Sequence, residues 1–221
     1  MKTDAKKVAV VLAGCGVYDG AEIQEAVLTL LALSRRGVAV SCFAPDIPQT
    51  QVINHRTGQE MAESRNVLVE AARITRGAIA DLATFSADAV DGLVFPGGFG
   101  VAKNLSSFAF AGADCTVEPG VAAALSAMAA AGKPIAALCI APALLARVLG
   151  GGRITIGQHS QTAAALEKLG ATHIPAQQTE IVVDKARKLV TSPCYMLEAT
   201  VAEIAESADK AIAALLELME A

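Results

Sequence analysis

The chain has 221 residues, of which 53% are hydrophobic and only 4% aromatic, and its net charge is −4. A chain of this length and composition can bury a sizeable core, which excludes intrinsic disorder and a small disulfide-stapled fold. The mean hydropathy of +0.47 raises the question of a membrane protein. A spanning helix needs about 20 consecutive apolar residues, and the longest uncharged stretch, 119–132, is shorter and contains Pro and Gly. We therefore expect a soluble protein without a membrane partner.

Charge and cysteine content indicate which binding partners and which cellular compartment to expect. Basic residues come at most in pairs, as in Lys6-Lys7, so we expect no nucleic-acid partner. The five cysteines form neither a CxxC pair nor an even, closely spaced set, which indicates neither a disulfide framework nor a metal site. The apolar run after the N-terminal MKTDAKK is too short for a signal peptide. We expect free thiols, no metal and a cytoplasmic location.

Short β-branched apolar runs alternate with segments of helical period, which predicts an α/β fold with a mostly parallel sheet covered by helices on both faces. In the first half of the chain, strands are predicted at 8–13, 38–43 and 91–95, and helices at 21–36 and 63–74. The first helix is predicted to turn five apolar residues inward: Ile23, Val27, Leu30, Leu31 and Leu33. The second helix spaces Glu70 and Arg73 to pair.

The alternation continues in the second half, after a polar loop over 44–61 and an irregular segment over 100–117. Helices are predicted at 119–131, 141–149, 162–169 and from about 197 onward. Strands are predicted at 134–138 and 153–156, and a hairpin joins 181–184 to 189–191. Neither a repeat nor a linker interrupts the pattern, so we expect residues 1–221 to form a single domain.

Cys139 is the most informative residue, because a buried strand delivers it directly onto a helix N-terminus. Unpaired N–H groups and the helix dipole there favour the thiolate, which is the reactive form. A sharp strand-to-helix turn also exposes a side chain at the carboxyl edge of the sheet, where open α/β folds bind ligands. Two interpretations stay open at this point: a nucleophilic thiol, or a small buried core cysteine.

A nucleophilic thiol needs a proton partner, and Ile140, not a histidine, follows Cys139. Of the three histidines, His159 follows a predicted strand and can come near the same sheet edge. The alternative for His159 is an exposed residue beside a helix start. His55 and His173 are expected at the surface.

Carboxylates at the start of the first helix offer another kind of partner: Asp19, Glu22 and Glu25. Carboxylates at a helix N-terminus are ordinary capping groups, which is the plainer interpretation of Asp19 and Glu22. Glu25 falls among the inward-facing residues yet lies near the carboxyl end of the first strand. A half-buried carboxylate there has a raised pKa and can exchange a proton with a thiol.

Glycines follow two of the predicted strands. Neither the Gly97-Gly98 turn nor the Gly14–Gly20 segment has the GxGxxG spacing, and no Walker sequence occurs, so we expect no nucleotide or other cofactor. We expect instead that Gly98 allows close backbone approach, with N–H groups directed at an oxyanion beside Cys139.

Three cysteines end predicted strands: Cys15, Cys139 and Cys194. They either converge on one carboxyl edge of the sheet, where thiols within about 6 to 7 Å permit a disulfide, or stand at strand ends by chance. The segment 101–117, with Lys103, Asn104 and Phe108, is expected either to cover the pocket or to form an oligomer contact.

Several motifs resemble the DJ/PfpI superfamily, whose fold is similar to class I glutamine amidotransferase domains. They are Gly20-Ala-Glu-x-x-Glu-Ala-Val27, Leu93-Val-Phe-Pro-Gly-Gly98, Pro134-Ile-Ala-Ala-Leu-Cys-x-Ala-Pro142, and Ile181-Val-Val-Asp184 with Leu189-Val-Thr-Ser192. Longer stretches resemble the ElbB branch, the so-called isoprenoid-biosynthesis glyoxalase. These are Gly14-Cys-Gly-Val-Tyr-Asp-Gly-Ala-Glu22, Asn66-Val-Leu-Val-Glu-Ala-Ala-Arg-Ile74, Pro96-Gly-Gly-Phe-Gly-Val-Ala-Lys-Asn-Leu105 and Cys139-Ile-Ala-Pro142. The resemblance covers essentially the whole chain.

The resemblance implies a flavodoxin-like α/β sandwich in which Cys139 is the nucleophile on a strained turn and Glu25 lies beside it. Many relatives carry His directly after the cysteine, where this chain has Ile140. The amidotransferase Gly-x-Cys-x-Gly turn and downstream His-x-Glu are also missing, which argues against glutaminase chemistry. Relatives are commonly homodimers, so we expect one here.

Two functions follow as expectations. The first is a cofactor-free glyoxalase that acts on a small-molecule aldehyde substrate such as glyoxal and gives glycolate, with repair of early glycation adducts as a related outcome. The second is a non-enzymatic thiol sensor or binding protein whose low-pKa Cys139 is oxidised to a sulfinic acid.

Overall fold

The computed structural model describes residues 6–220. Residues 1–5, which begin the N-terminal segment considered above as a signal peptide, lie outside the described part. The strands are β1 (Lys7–Val11), β2 (Ala39–Ala44), β3 (Ala80–Asp81), β4 (Gly92–Phe95), β5 (Ile135–Leu138), β6 (Arg153–Ile154), β7 (Thr172–His173), β8 (Val182–Asp184) and β9 (Leu189–Ser192). The α-helices are α1 (Ile23–Arg35), α2 (Val67–Thr75), α3 (Phe99–Lys103), α4 (Phe108–Ala111), α5 (Pro119–Ala130), α6 (Pro142–Leu149), α7 (Ser160–Lys168) and α8 (Val201–Glu220). Within this range no helix is long and apolar enough to cross a bilayer.

Seven strands form one sheet in the order β3-β2-β1-β4-β5-β9-β8. All neighbours in it pair in parallel except β8 and β9, which form the predicted antiparallel hairpin. A second, two-stranded parallel sheet joins β6 to β7. The predicted α/β fold is therefore confirmed, and the carboxyl ends of β1, β4, β5 and β9 meet at one edge of the large sheet.

Buried side chains lie on both faces of the sheet, because alternate residues of a strand point to opposite sides. One face packs against α1, α2 and α8, and the other against the helices α3 to α7. Strand β5 contributes to both cores, with Ile135 and Ala137 on the second face and Ala136 and Leu138 on the first. Burial on both faces explains why the strands are continuously apolar.

The predicted inward face of α1 is wrong for three of its five residues. Ile23, Val27 and Leu31 are 44%, 45% and 39% exposed, whereas the buried stripe includes Glu25 and Thr29. Both stripes of the helix carry apolar residues, so hydrophobic period alone does not separate them. Small side chains decide the orientation, since Ala26 and Ala32 are buried on the face that packs against the sheet and α8.

The segment predicted as irregular, 100–117, contains the short helices α3 and α4 followed by a single helical turn over Gly112–Asp114. Neither α3 nor α4 has a side-chain cap, and each has at most five residues, so neither leaves a readable period in the sequence. The predicted start of α8 at about 197 is also early. The helix begins at Val201, after Thr200 accepts a hydrogen bond from the Glu203 N–H and Glu203 accepts one from the Thr200 N–H.

Candidate active site

Cys139 lies at the end of β5 in the left-handed region of backbone space, with φ of +58°. For a residue other than glycine this conformation costs roughly 1 to 3 kcal/mol, and it persists only where the surroundings impose it. Here the Cys139 N–H donates to the Ser192 carbonyl at 2.9 Å, and α6 begins three residues later at Pro142. The backbone therefore holds the thiol at the strand-to-helix turn that the sequence predicts.

Glu25 is fully buried in the first turn of α1, and three parts of the chain surround its carboxyl group. Its Oε2 accepts a hydrogen bond from the Gly97 N–H at 2.8 Å, in the loop after β4. Its Oε1 accepts one from the Tyr195 N–H at 3.1 Å, in the turn after β9. The carboxyl group lies beside the Cys139 thiol, since a Cβ at Gly97 would be 2.6 Å from Glu25 Oε2 and 2.9 Å from the Cys139 Sγ. The sheet topology thus brings Glu25 and Cys139 together from positions more than a hundred residues apart.

Burial dominates the electrostatics of this pair. It raises the pKa of Glu25 to about 8, although the N–H donors of Tyr195 and Gly97 act in the opposite direction. Burial also raises the pKa of Cys139 well above the usual thiol value, and a negative charge on Glu25 adds to the effect. The predicted lowering of the Cys139 pKa at a helix N-terminus is therefore wrong, because loss of water outweighs the N–H groups of Gly98 and Ile140 that favour the thiolate. The pair holds both protons at neutral pH and releases the first near pH 8.

Two glycines bring the backbone against the pair. A Cβ at Gly97 would lie 2.4 Å from the Cys139 Cβ and 2.6 Å from Glu25 Oε2. A Cβ at Gly98 would lie 2.3 Å from the Glu22 nitrogen, and Gly98 has φ of +102°. Only glycine fits either position, and the Gly98 N–H comes close enough to hydrogen-bond the Cys139 sulfur.

A cavity of about 510 Å³ opens above Cys139. Its lining is mostly apolar, with a few polar groups: Val17, Glu22, Gly98, Phe99, Ala102, Phe108, Ala109, Cys139, Ile140, His159, Thr162, Tyr195 and Met196. Cys139 is 7% exposed, so it reaches the cavity while most of its surface is protected from water. Concave apolar pockets with a few polar groups are typical of small-molecule sites. No group of three or more potential metal ligands is found among residues 6–220.

Glu22 and His159 both cap helices at the cavity wall. Glu22 Oε2 accepts a hydrogen bond from the Glu25 N–H at 2.6 Å, and burial raises the pKa of Glu22. His159 accepts a hydrogen bond from the Thr162 N–H through its Nδ1, at 3.3 Å. The capping interpretation is therefore confirmed for Glu22. His159 is exposed at the start of α7, where it is itself the N-cap, and it also lines the cavity, as Glu22 does.

The other two histidines lie elsewhere. His55 is exposed and lies near Asp19, with 3.8 Å between its Nε2 and Asp19 Oδ1. His173 is half-buried on β7, where burial lowers its pKa, so its predicted surface position is only partly right.

Two of the three cysteines at strand ends come together. Cys194 is fully buried at the turn after β9, and the Cys139 N–H lies within hydrogen-bonding reach of its sulfur. Cys15 has different neighbours, since the charges acting on its thiol are those of Glu70, Arg73 and Asp19. Glu70 and Arg73 form the predicted ion pair, with 3.0 Å between Arg73 Nε and Glu70 Oε2.

The segment 101–117 covers the cavity in part, as Phe108 lines it. Asn104 has a structural role instead, because its side-chain amide donates to the carbonyls of Ala13 and Asp19 at 2.9 and 2.8 Å. Lys103 donates to the Tyr18 carbonyl at 3.0 Å. Only part of this segment therefore belongs to the site.

Tyr195 is the contributor that sequence reasoning missed. Its N–H donates to Glu25, the residue lines the cavity, and its hydroxyl donates a hydrogen bond to Gln24 Oε1. The only signal for it was its position just beyond the carboxyl end of the last predicted strand, where ligand-binding residues of parallel sheets gather.

The fold and the site define a class: α/β proteins that hold a buried cysteine on a strained turn at the carboxyl edge of a parallel sheet, with a carboxyl group from the first helix beside it. The DJ-1/PfpI family profile matches residues 6–198 of the chain. The human protein named "Glutamine amidotransferase-like class 1 domain-containing protein 3, mitochondrial" is 48% identical over 97% of this chain and 84% of its own length. The Danio rerio "ES1 protein, mitochondrial" is 34% identical, over 86% of this chain and 77% of its own length.

Solved structures agree with this placement. An isoprenoid biosynthesis protein with an amidotransferase-like domain from Ehrlichia chaffeensis superposes with a TM-score of 0.91 at 35% identity, over 97% of this chain and 99% of its own. Drosophila melanogaster DJ-1beta, at 20% identity, has a TM-score of 0.56 over 98% of this chain and 96% of its own, and shares the fold. The chain belongs to the DJ-1/PfpI family.

The predicted cytoplasmic location is contradicted by the relatives. The human and zebrafish proteins, and a rat homologue 46% identical over 96% of this chain and 84% of its own length, are all named as mitochondrial. Free thiols indicate a reducing environment but do not distinguish one reducing compartment from another, which is why composition misled here.

Proposed function

We propose that this protein is a cofactor-independent glyoxalase that converts glyoxal and other small α-oxoaldehydes to hydroxy acids. The observation that carries the proposal is the juxtaposition of two buried groups beside Gly97, Cys139 and Glu25, with Cys139 lining an apolar cavity. A thiol supplies the nucleophile and the adjacent carboxyl group moves protons, so the pair itself provides both chemical functions.

In the first step, the pair in its singly protonated form adds to the aldehyde. The Cys139 sulfur forms a bond to the carbonyl carbon, and the proton of the pair passes to the resulting oxyanion to give a hemithioacetal. The Gly98 N–H, directed at Cys139, is placed to stabilise the oxyanion as it develops. The left-handed conformation of Gly98 and its contact with the Glu22 backbone fix the direction of this N–H group.

In the second step, Glu25 transfers a proton. Its carboxylate removes the hydrogen from the carbon bonded to sulfur and returns a proton to the adjacent carbon, while the hydroxyl proton of the hemithioacetal moves to the oxygen of the second carbonyl. Together these two shifts convert the hemithioacetal to a thioester. Water then cleaves the thioester, releasing glycolate and the free thiol. A pKa of about 8 suits this role, because a general base is most effective when its pKa lies near the working pH.

The cavity supports small substrates with one or two oxygens. Its apolar lining residues include Phe99, Phe108 and Met196, and its polar ones include Glu22 and His159. The same carbon skeleton occurs in the aminocarbinols that aldehydes form with amines, so repair of early glycation adducts is a related activity of the same site.

Incubation of the purified protein with glyoxal, without glutathione and in D₂O, tests the proposal. We expect glycolate by NMR, with deuterium on the carbon that receives the proton. Cys139→Ala is expected to abolish turnover and Glu25→Gln to lower kcat at least about 100-fold. Cys42→Ser, on β2, is the matched control and should keep full activity. Activity that survives Cys139→Ala would overturn the proposal.

The homodimer also stays a proposal. Ile23, Val27 and Leu31 form an exposed apolar stripe along α1, and a second copy of the chain packed there would remove it from water. Sedimentation velocity should give twice the mass of one chain, and Val27→Lys should shift the protein to the monomer. A wild-type monomer at micromolar concentration would contradict this proposal.

A further inference from the structure

Cys194 is a second buried thiol at the site, and the proposed reaction does not use it. In the register of the parallel pair, Leu138 lies opposite Ser192, so Cys139 comes one residue and Cys194 two residues beyond a matched position on adjacent strands. The Cys139 N–H donates to the Ser192 carbonyl at 2.9 Å and also lies within hydrogen-bonding reach of the Cys194 sulfur. Adjacent strands are about 4.8 Å apart, so the ends of β5 and β9 lie side by side where the two cysteines follow.

The Glu25 carboxyl group serves both thiols. It lies beside Cys139, and its Oε1 accepts the N–H of Tyr195, the residue after Cys194. The charge of Glu25 acts on both sulfurs, and that of Glu22 acts on Cys194 as well. The Cys194 Sγ also lies 3.7 Å from the Ser192 hydroxyl oxygen. A proton that leaves either thiol therefore has an acceptor nearby.

Access differs between the two sulfurs. Cys139 lines the cavity, whereas Cys194 is fully buried and is not part of the cavity wall. A small oxidant that enters from solvent therefore meets Cys139 first. Cys194 can react only with a group that has already formed on Cys139.

We propose that Cys194 is the resolving thiol of Cys139, and that a hydroperoxide switches the site off reversibly through a disulfide between them. The inference rests on the proposed function only in taking Cys139 as the reactive thiol. It adds a means of regulation, and it assigns to Cys194 a role in protecting Cys139 from overoxidation.

The oxidation proceeds in two balanced steps. The Cys139 thiolate attacks one oxygen of the hydroperoxide, so an S–O bond forms, the O–O bond breaks and an alcohol leaves after taking up the thiol proton. The Cys194 thiol then passes its proton to Glu25 and attacks the Cys139 sulfur. The S–S bond forms, the S–O bond breaks, and the hydroxide takes the proton from Glu25 and leaves as water. The protein loses two electrons to the peroxide, and an external dithiol restores both cysteines.

The test treats the full chain with equimolar hydrogen peroxide and measures intact mass and peptide linkage without reduction. We expect the wild type to lose the mass of two hydrogens, to yield one cross-linked peptide joining Cys139 to Cys194, and to recover its original mass with dithiothreitol. In Cys194→Ala, two equivalents of hydrogen peroxide should add two oxygens to Cys139, one from each peroxide, as a sulfinic acid that dithiothreitol does not reverse. Cys15→Ser is the matched control and should behave as the wild type.

Mass spectrometry keeps this test independent of turnover. If glyoxal is not consumed but the cross-link forms, the proposed function fails and the resolving role of Cys194 stands. Conversion of wild-type Cys139 to a sulfinic acid, with Cys194 still able to react with iodoacetamide once the oxidised protein is denatured, would overturn the inference. A cross-link from Cys139 to any other cysteine would overturn it as well.

Discussion

At the scale of single residues, the properties of the reactive pair come from burial more than from charge. Water cannot solvate an ionised Glu25, and this raises its pKa to about 8 even though two backbone N–H groups donate to its carboxyl oxygens. The same loss of water affects Cys139. Since like charges at close range disfavour each other, the pair carries at most one negative charge near neutral pH.

The number of protons that Glu25 and Cys139 hold together predicts the pH dependence of activity. The reactive form has lost one of the two protons, so kcat/KM for glyoxal should rise from pH 6 to pH 9 with an apparent pKa of about 8. Initial rates across that range provide the measurement. A profile that is flat, or that falls, between pH 6 and 8 would show that the free enzyme reacts in another protonation state.

A methyl group at Gly97 should disrupt the pair. Its carbon would lie 2.4 Å from the Cys139 Cβ and 2.6 Å from Glu25 Oε2, too close for either to remain in place. We expect Gly97→Ala to cost about 1 to 3 kcal/mol in the free energy of unfolding and to lower kcat/KM about 100-fold. Denaturant unfolding and steady-state kinetics measure the two effects. In the control Gly120→Ala, on α5, the closest atom is a flexible Glu118 carboxyl oxygen at 3.1 Å, so activity should be unchanged.

At the scale of elements, α1 contributes to both the site and the core. Its buried stripe carries Glu25 at the start, followed by Ala26, Thr29 and Leu33 along the contact with the sheet and α8. The Thr29 hydroxyl has no hydrogen-bond partner within residues 6–220. Burying a hydroxyl without a hydrogen-bond partner costs free energy, so the Thr29 hydroxyl lowers the stability of the folded protein.

Replacing that hydroxyl by a methyl group should stabilise the protein. Thr29→Val keeps the shape and removes the unpaired oxygen, and we expect about 1 kcal/mol more stability and a Tm higher by about 2 to 4 °C. The control Thr200→Val removes the cap of α8, where the Thr200 oxygen accepts the Glu203 N–H, and should lower stability by about 1 kcal/mol. Thermal unfolding by circular dichroism measures both. A lower Tm for Thr29→Val would show that the hydroxyl is solvated or bonded in solution.

At the scale of the whole molecule, the raised pKa of Glu25 links folding to pH. The folded state holds the proton up to about pH 8, whereas the unfolded chain releases it near 4.5. Between those values the folded state binds more protons, so the contribution of Glu25 to stability is complete at low pH and is lost as pH rises through that window. The slope is at most about 1.4 kcal/mol per pH unit.

Glu25→Gln removes this linkage. We expect the stability difference, wild type minus Glu25→Gln, to fall steadily from pH 5 to pH 8, because the amide does not titrate. Urea unfolding at several pH values gives the difference directly. Parallel stability curves for the two proteins would mean that Glu25 ionises in the folded state as it does in the unfolded chain.

Much of the fold follows from local pattern. The buried strand 135–138 ahead of Cys139, the antiparallel hairpin of β8 and β9 and the pairing of Glu70 with Arg73 were all readable, because strand burial, turn spacing and helical spacing are local properties. The outward-facing stripe of α1 and the short helices α3 and α4 could not be predicted from local pattern. In the first case two apolar stripes compete, and in the second the helices are too short to have a period.

The site divides in the same way. The sequence by itself determined which residues are chemically able to react, since a cysteine at a strand-to-helix junction and a carboxylate on the first helix are fixed by residue type and spacing. The tertiary structure alone decided that Cys194 and not Cys15 adjoins Cys139, that Tyr195 holds Glu25, and that burial raises both pKa values of the pair. The physical reason is that proximity across a parallel sheet and exclusion of water depend on strand order and packing, which no local spacing encodes.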